Sequence, residues 1–353
     1  MISNPTKQRN LRGHRASRPN PRLAVTVDHQ AQLAWRLTPR DRWIIRMLHE
    51  HRVLTTTQIS DLAFTGPRLA RQRLRELFQY AVVDRFQPFV TLGTAPMHYV
   101  LSPAGAAVLA AEDGLEVKDL GYRQHRAFGI AHSLTLAHTV GVGDWFTALI
   151  ARSRYDSTTA LTAWWSETRC ARLFGDLVKP DAYGRWRHND REIEFFLEYD
   201  LGTEQLATVA AKLHGYACLA AASGIATPLL VWLPTSRREA AARRLLTRTW
   251  HELDHPDQVP VATASAKLLN PHAPQPSPAD PVWLPVHTSG QPTRSALHEL
   301  LDVWQNLPRS APTHVSADSV DSGQAARRTL LPAPPPMPPV PSTSDQRSAT
   351  RRR

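Results

Sequence analysis

Lysine is scarce in this chain. Lys7, Lys118, Lys179, Lys212 and Lys267 are the only lysines among 42 basic residues. The positive charge is therefore carried by arginine, whose planar fork suits bidentate contacts to phosphate. A formal net charge of +11 points to a polyanionic partner. An arginine-, alanine- and proline-rich composition also follows from a GC-rich coding sequence, so charge alone does not decide the matter. Cysteine is scarcer still. Cys170 and Cys218 stand far apart, without CxxC or Cys/His spacing, which argues against a disulfide framework or a structural zinc site. No run approaches the ~20 apolar residues that cross a bilayer. The first residues are polar and basic, without the apolar core of a secretion signal, so a cytoplasmic location is expected.

What is present is enough to fold. The chain has 353 residues, 42% of them hydrophobic, which allows two modest domains plus tails. Residues 1–33 scatter Lys7, Arg9, Arg12, Arg15, Arg18 and Arg22 among Pro and Asn. They read as a disordered basic arm, either a solubilising tail or a tracker of phosphates. Two folded blocks follow, 38–114 and 125–304. Residues 308–353, with "PAPPPMPPVP" and a terminal "RRR", read as a disordered Pro-rich tail that cannot bury enough surface to fold. No repeat at solenoid spacing occurs.

In the first block, "LTPRDRWIIRMLHEHRVLTTTQISDLAF" places Thr38 as an N-cap and Pro39 at the first helical position. Trp43, Ile44, Met47 and Leu48 then make one buried stripe. Thr55 or Thr56 caps a second helix carrying Ile59 and Leu62. A third helix over residues 68–80 turns Leu69, Leu74 and Leu77 inward and Arg68, Arg71, Gln72 and Arg75 outward. "AVVDRFQPF" and "MHYVLS" alternate as a β-hairpin. Three helices and a hairpin are the order of a winged helix, a helix-turn-helix variant that lays its third helix in the major groove. Double-stranded DNA is thus an expected partner, with Arg68, Arg71, Gln72 and Arg75 as contacts. A winged helix that holds another replication protein is the alternative.

The second block opens with a long helix in "AHSLTLAHTVGVGDWFTALIAR", carrying Leu134, Leu136, Trp145 and Leu149. A strand, a hairpin pair, a helix, a strand and a further helix follow, giving an α-β-β-β-α-β-α order and a mixed sheet. The α+β fold class rests on this succession. Within "KPDAYGRWRHNDREIEFFLEYDLGTE", Asp181 follows a proline, and Glu198 and Asp200 end the next apolar strand. Carboxylates at the ends of adjacent strands can hold a hard cation such as Mg²⁺ through oxygen. Glu198 and Asp200, two apart, share a strand face and could instead pair with arginine. On the following helix, Lys212 lies at the flank of a stripe formed by Leu206, Val209, Leu213 and Tyr216, positioned to reach back toward the strand ends. His132 and His138 read as packing or surface residues, and Glu204 as a charge at a helix start.

This order with these acids resembles the PD-(D/E)xK restriction-endonuclease-like fold. The resemblance implies metal ligands at Asp181 and Glu198; Asp200 is expected to join them on the metal, and the expected catalytic set is these three acids with Lys212. Where that fold carries a strand lysine, this chain has Asp200; some members carry the lysine on the following helix instead, where Lys212 is the candidate, with a plain surface charge as the alternative. "KLHGY" also resembles the Gln-Leu-x-x-Tyr helix motif of RecB-like nucleases, with Lys212 at the glutamine position. Across roughly residues 38–250 the chain resembles the replication-relaxation family of actinobacterial plasmids and integrated mobile elements. That likeness rests on the helix-turn-helix stretch, "RLRELFQYAVVDRF", "VKPDAYG" and above all "FFLEYDLGTEQLATVAAKLHGY". It implies a role in plasmid replication and DNA relaxation. The expected protein is a DNA-binding factor carrying either a Mg²⁺-dependent nickase or a degenerate, non-catalytic descendant of one.

Overall fold

The structure, a computed structural model, describes residues 14–16, 26–90, 93–266, 276–287, 293–304, 307 and 330–339. The rest of the expected arm and tail, and residues 91 and 92 of the hairpin turn, lie outside the described residues. The chain is α+β, with two sheets among the described residues. Among the described residues no single helix is long and apolar enough to cross a membrane.

The N-terminal half runs β1 (His14–Ala16), α1 (Val27–Arg36), α2 (Pro39–His51), β2 (Leu54–Thr55), α3 (Thr56–Ala63), α4 (Pro67–Gln79), β3 (Val83–Pro88), β4 (His98–Leu101) and α5 (Pro103–Glu112). Capping sets the helix starts. Thr38 and Asp41 form a reciprocal capping box at α2, with Pro39 in its first turn, and Thr55 and Gln58 do the same at α3. Asp41 is buried, and Arg73 of α4 neutralises it at 2.6 Å, so the cap also ties α2 to α4. The expected arm proves partly structured: β1 pairs with β3, and α1 buries Leu33. Leu69 differs from expectation too. It is 54% exposed, and Ala70 one position on fills the core instead.

The C-terminal half runs α6 (Gln124–Gly129), α7 (Leu136–Tyr155), β5 (Thr159–Ser166), α8 (Glu167–Phe174), β6 (Ala182–His188), β7 (Arg191–Tyr199), α9 (Leu206–Ser223), β8 (Leu229–Leu233), α10 (Ser236–His251), β9 (Val261–Ser265), β10 (Leu284–Pro285) and α11 (Leu300–Val303). The long helix starts later than expected, leaving Leu134 85% exposed. Strands β5, β6 and β7 form an antiparallel meander, and β7, β8 and β9 are parallel. Asn189 turns the β6–β7 hairpin at φ 53°, a conformation Asn tolerates better than most residues. Helices α9 and α10 make the two parallel crossovers and cover one face of the sheet with Leu213, Tyr216, Leu246 and Trp250. Helix α7 covers the other face through Trp145, Phe146 and Leu149.

One hydrophobic cluster runs between the two halves, from Leu33 to Leu300. Polar contacts reinforce the junction. Glu50 of α2 accepts two hydrogen bonds from Arg169 of α8, at 2.9 and 2.8 Å, and two more from Ser166. Burial alone would raise the Glu50 carboxyl, but the Arg169 guanidinium holds it at about 2. His51 stacks on Trp164 with ring centroids 3.8 Å apart. Helix α7 approaches α3 closely because Gly143 has no Cβ, which would meet the Gln58 amide at 2.8 Å. That amide donates to Val140 O and to Asp144 Oδ1, both at 2.8 Å.

Burial pushes the Asp144 carboxyl up to about 7, with Asp61 adding to it and Gln58 opposing. A folded-state value above the unfolded one keeps the acid protonated while the unfolded chain ionises. Folding stability therefore falls as pH rises from ~4 to ~7, by up to about 4 kcal/mol, and stays low above that. Asp144→Asn should flatten this slope and raise the melting temperature at pH 8 but not at pH 4. Parallel thermal melts across that range test it, and identical pH profiles for the two chains would refute it.

Candidate functional site

The register of the β6–β7 pair sets the site. Ala182 pairs with Leu197, and Asp181 N donates to Leu197 O at 3.1 Å, so Asp181 sits one step beyond β6 and opposite Glu198. The two acids therefore share the sheet face that α9 covers. Glu198 lies on an interior strand between β6 and β8 and is buried. A lone carboxylate there would be severely destabilised. Two donors from α9 reach it: Lys212 Nζ donates to Oε2 at 2.5 Å and Tyr216 Oη donates to Oε1 at 2.6 Å. Lys212 and Tyr216 are four residues apart, hence on one helix face. Gly215 lets the loop before β6 press against that helix, since a Cβ would meet Leu177 O at 2.6 Å.

Asp181 is held from a different side. Its Oδ2 accepts from Tyr199 N at 2.7 Å and lies 3.0 Å from His138 Nε2 of α7. His138 was expected to be a packing or surface residue, and here the structure differs. Its position follows from how the first turn of α7 meets the end of β6, a tertiary relation that helical spacing cannot reveal. Gly141, one turn on, is what permits the approach, because a Cβ would meet the Tyr199 ring at 2.6 Å.

The charges divide unevenly. Burial would raise Asp181, but His138 and then Lys212 hold it below the usual carboxylate range. Glu198 moves the other way: burial and the neighbouring Asp181 push it up to about 8, against the pull of Lys212 and Tyr216. Burial would lower His138, yet Asp181 raises it to about 9. Lys212 is drawn up by Glu198 and by Asp181 against its own burial. Asp181 thus keeps its charge first, and Glu198 takes up a proton near neutrality, as expected for two acids that cannot both ionise cheaply.

Asp200 lines the same pocket as His138, Asp181 and Glu198, but its carboxylate follows the alternative of pairing with arginine. Arg238 of α10 holds it with Nε on Oδ2 and Nη2 on Oδ1, the latter at 3.2 Å, and Gly202 N donates to Oδ1 at 2.7 Å. The strand face is shared with Glu198, but a guanidinium 38 residues away in sequence has taken the carboxylate. Glu204 lies before α9 rather than in its first turn, 3.9 Å from Lys212. For a divalent ion, Asp181 Oδ1 is the one site oxygen of Asp181 and Glu198 that accepts no hydrogen bond among the described residues. Among those residues no three or more His, Cys, Asp or Glu side chains converge as a metal-binding group. Asp181 and Glu198 supply the hard oxygens that Mg²⁺ prefers, whereas Asp200 does not fit that role in this arrangement.

On α4, Arg68, Arg71, Gln72 and Arg75 are exposed. Arg73 is tied down by Asp41 and Glu76, and Gln72 lies 3.5 Å from Glu76. Among the described residues Arg68, Arg71 and Arg75 have no ion-pair partner. A sequence profile described as Replication-relaxation matches residues 45–230, which takes in α4, the acidic strand ends and α9. The chain belongs to the replication-relaxation family. Membership gives this replication-relaxation protein a replication-related role, on a plasmid or mobile element. No curated protein and no solved structure matches the chain.

The Asp200 side chain, only 4% exposed, should behave as an anchor between the β7 end and α10. Arg238→Leu strands that charge and should cost about 3 kcal/mol, while Arg238→Leu with Asp200→Leu should recover much of the loss. Denaturant titration of the three chains measures this. An unaltered midpoint in the single variant would mean that Asp200 is solvated rather than anchored.

Proposed function

We propose that this replication-relaxation protein binds double-stranded DNA through a winged helix formed by α2–α4 and the β3–β4 hairpin. In the same reading, the site at the ends of β6 and β7 is a nuclease-like centre that nicks the bound plasmid. The observation that carries the second part is the lysine. Lys212 Nζ stands 2.5 Å from Glu198 Oε2, with Asp181 opposite on the adjoining strand end. A cation supplied by a helix makes up for the missing strand lysine. Asp181 and Glu198 would hold Mg²⁺, which would supply Lewis acidity toward a phosphate and a more acidic water. The chain's own groups do the remaining work. His138 orients Asp181, Tyr216 orients Glu198, and Lys212 places a positive charge where a hydroxide would develop.

The arginines of α4 support duplex docking. Three guanidinium groups that have no ion-pair partner among the described residues, on one exposed helix face, suit phosphate contacts. A second reading, DNA binding without cleavage, is favoured by a specific feature: both Glu198 oxygens already accept protein donors and Arg238 occupies Asp200. Under that reading the acids and cations are a structural network, and replication proteins as well as plasmid DNA are its partners.

Two measurements separate these. Supercoiled plasmid with purified protein and Mg²⁺ should convert to open circles, and chelation should stop it. Asp181→Asn and Lys212→Met should each slow conversion by at least ~100-fold, the scale for losing an electrostatic catalytic group. Equal nicking by either variant would remove the proposed site, and no nicking by the unaltered chain would leave the binding reading. Separately, Arg71→Ala with Arg75→Ala should weaken duplex binding. It should also reduce the slope of log affinity against log salt by roughly 2, one phosphate contact each. An unchanged slope would place the DNA elsewhere.

A further inference from the structure

The Pro-rich tail was expected to stay unfolded, yet residues 330–339, "LLPAPPPMPP", are described and pack against the protein. Pro334 and Pro336 are buried there, and Leu331 rests on the main hydrophobic cluster. The segment forms one wall of a cleft whose other walls include Arg46 and His49 of α2, Leu109 of α5, and Leu120 and Arg172. Arg172 belongs to α8, so the cleft lies where the two halves of the chain meet. Beside the cleft, at the next residue after Pro334, the indole Nε1 of Trp43 donates to Pro335 O at 2.7 Å.

Three features identify what this cleft recognises. Trp43 is 4% exposed, and a buried indole N–H without an acceptor is destabilising. With the segment in place, Pro335 O supplies that acceptor. Six of the ten residues are proline, each fixing φ near −65° and lacking an N–H. Such a run favours the polyproline II form, whose carbonyls have no internal partners and remain free to accept. Among the described residues, no backbone hydrogen bond joins the segment to a strand, so it is not added to a sheet edge. Aromatic capture of a stiff proline-rich segment through its carbonyls remains, a mode whose ordering cost is low because the ligand is already extended.

We propose that the cleft beside Trp43 is a polyproline-binding site and that residues 330–339 are its tethered ligand, a latch closing over the junction of α2, α5 and α8. Tethering explains how a short contact stays closed. Attachment to the same chain gives a local concentration on the order of 1 mM, so a segment with Kd of ~100 µM in trans is held about ten to one in cis.

The test uses the full chain with Leu331→Ser, Pro334→Ser and Pro336→Ser together, all in the tail, and a fluorescent peptide of residues 330–339. The peptide should bind this variant about tenfold more tightly than the unmodified chain, where the latch competes. Adding Trp43→Phe to the variant should weaken binding at least fivefold. The single change Pro334→Ser is a second arm, expected to give an affinity between the two. Equal affinity for the variant and the unmodified chain would overturn the proposal. So would no binding to the variant at 1 mM peptide (about ten times the trans Kd assumed above), or binding indifferent to Trp43→Phe.

Discussion

Two carboxylates facing each other at the ends of adjacent strands are the constraint around which the C-terminal half is arranged. Asp181 and Glu198 are brought together by backbone register, which no side chain can relax. Their repulsion in a desolvated place has to be met by cations from outside the sheet. Helix α9 therefore presents Lys212 and Tyr216 to Glu198, and α7 presents His138 to Asp181. The helices on both sides of the sheet are thus pinned at the same point. The hydrophobic clusters of α7 and α9 set how closely each packs, and the glycines at 141 and 215 remove the side chains that would hold them off.

The same logic operates where the two halves meet. Glu50 is buried and would be intolerable without Arg169, and removing one partner from such a pair generally costs more than the pair itself contributes. Asp144 has only an amide donor, and its carboxyl moves toward neutrality instead. One junction acid is neutralised by a guanidinium and the other by its own proton. With the His51–Trp164 stack and a shared hydrophobic cluster, these contacts bind α2 and α3 to the second block. A DNA-docking helix on α4 and an acidic centre at β6–β7 would then be held in a defined relation rather than on a loose tether.

Much of this was legible from residues alone, and the limits have physical causes. Helix starts at Thr38 and Thr55 were readable because caps are local. Asp181 and Glu198 were readable because strand ends and proline punctuation are local, and Lys212 because helical angle places it beside Tyr216. His138, Arg238 and the Glu50–Arg169 pair were not. Each depends on which helix passes which strand end, with partners 38 to 119 residues apart where hydrogen bonds join them. Leu69 lies one position off the buried stripe, since Ala70, Leu74 and Leu77 recur at helical spacing and Leu69 falls outside that phase. The proline tail was misread for a related reason. Composition says that such a segment cannot fold by itself, but not that a buried indole elsewhere needs its carbonyl.

The ion pairs around the β6 and β7 strand ends bear on how a phosphate would reach the proposed centre. Counting the paired groups, Asp181, Glu198, Asp200 and Glu204 face His138, Lys212 and Arg238. With every group ionised one negative charge is left in excess, and a proton on Glu198 brings the cluster into balance. A balanced cluster projects little field beyond about a Debye length, so it cannot by itself draw a polyanion from solution. Attraction at a distance has to come from the arginines that no acid neutralises, and Arg68, Arg71 and Arg75 on α4 are such a group. On the proposed reading, capture would fall to α4 and chemistry to the β6–β7 centre, which would give the junction between the two halves a reason to exist. On the proposed reading without cleavage, α4 would still be the capturing element and the acidic cluster would serve as a structural pin.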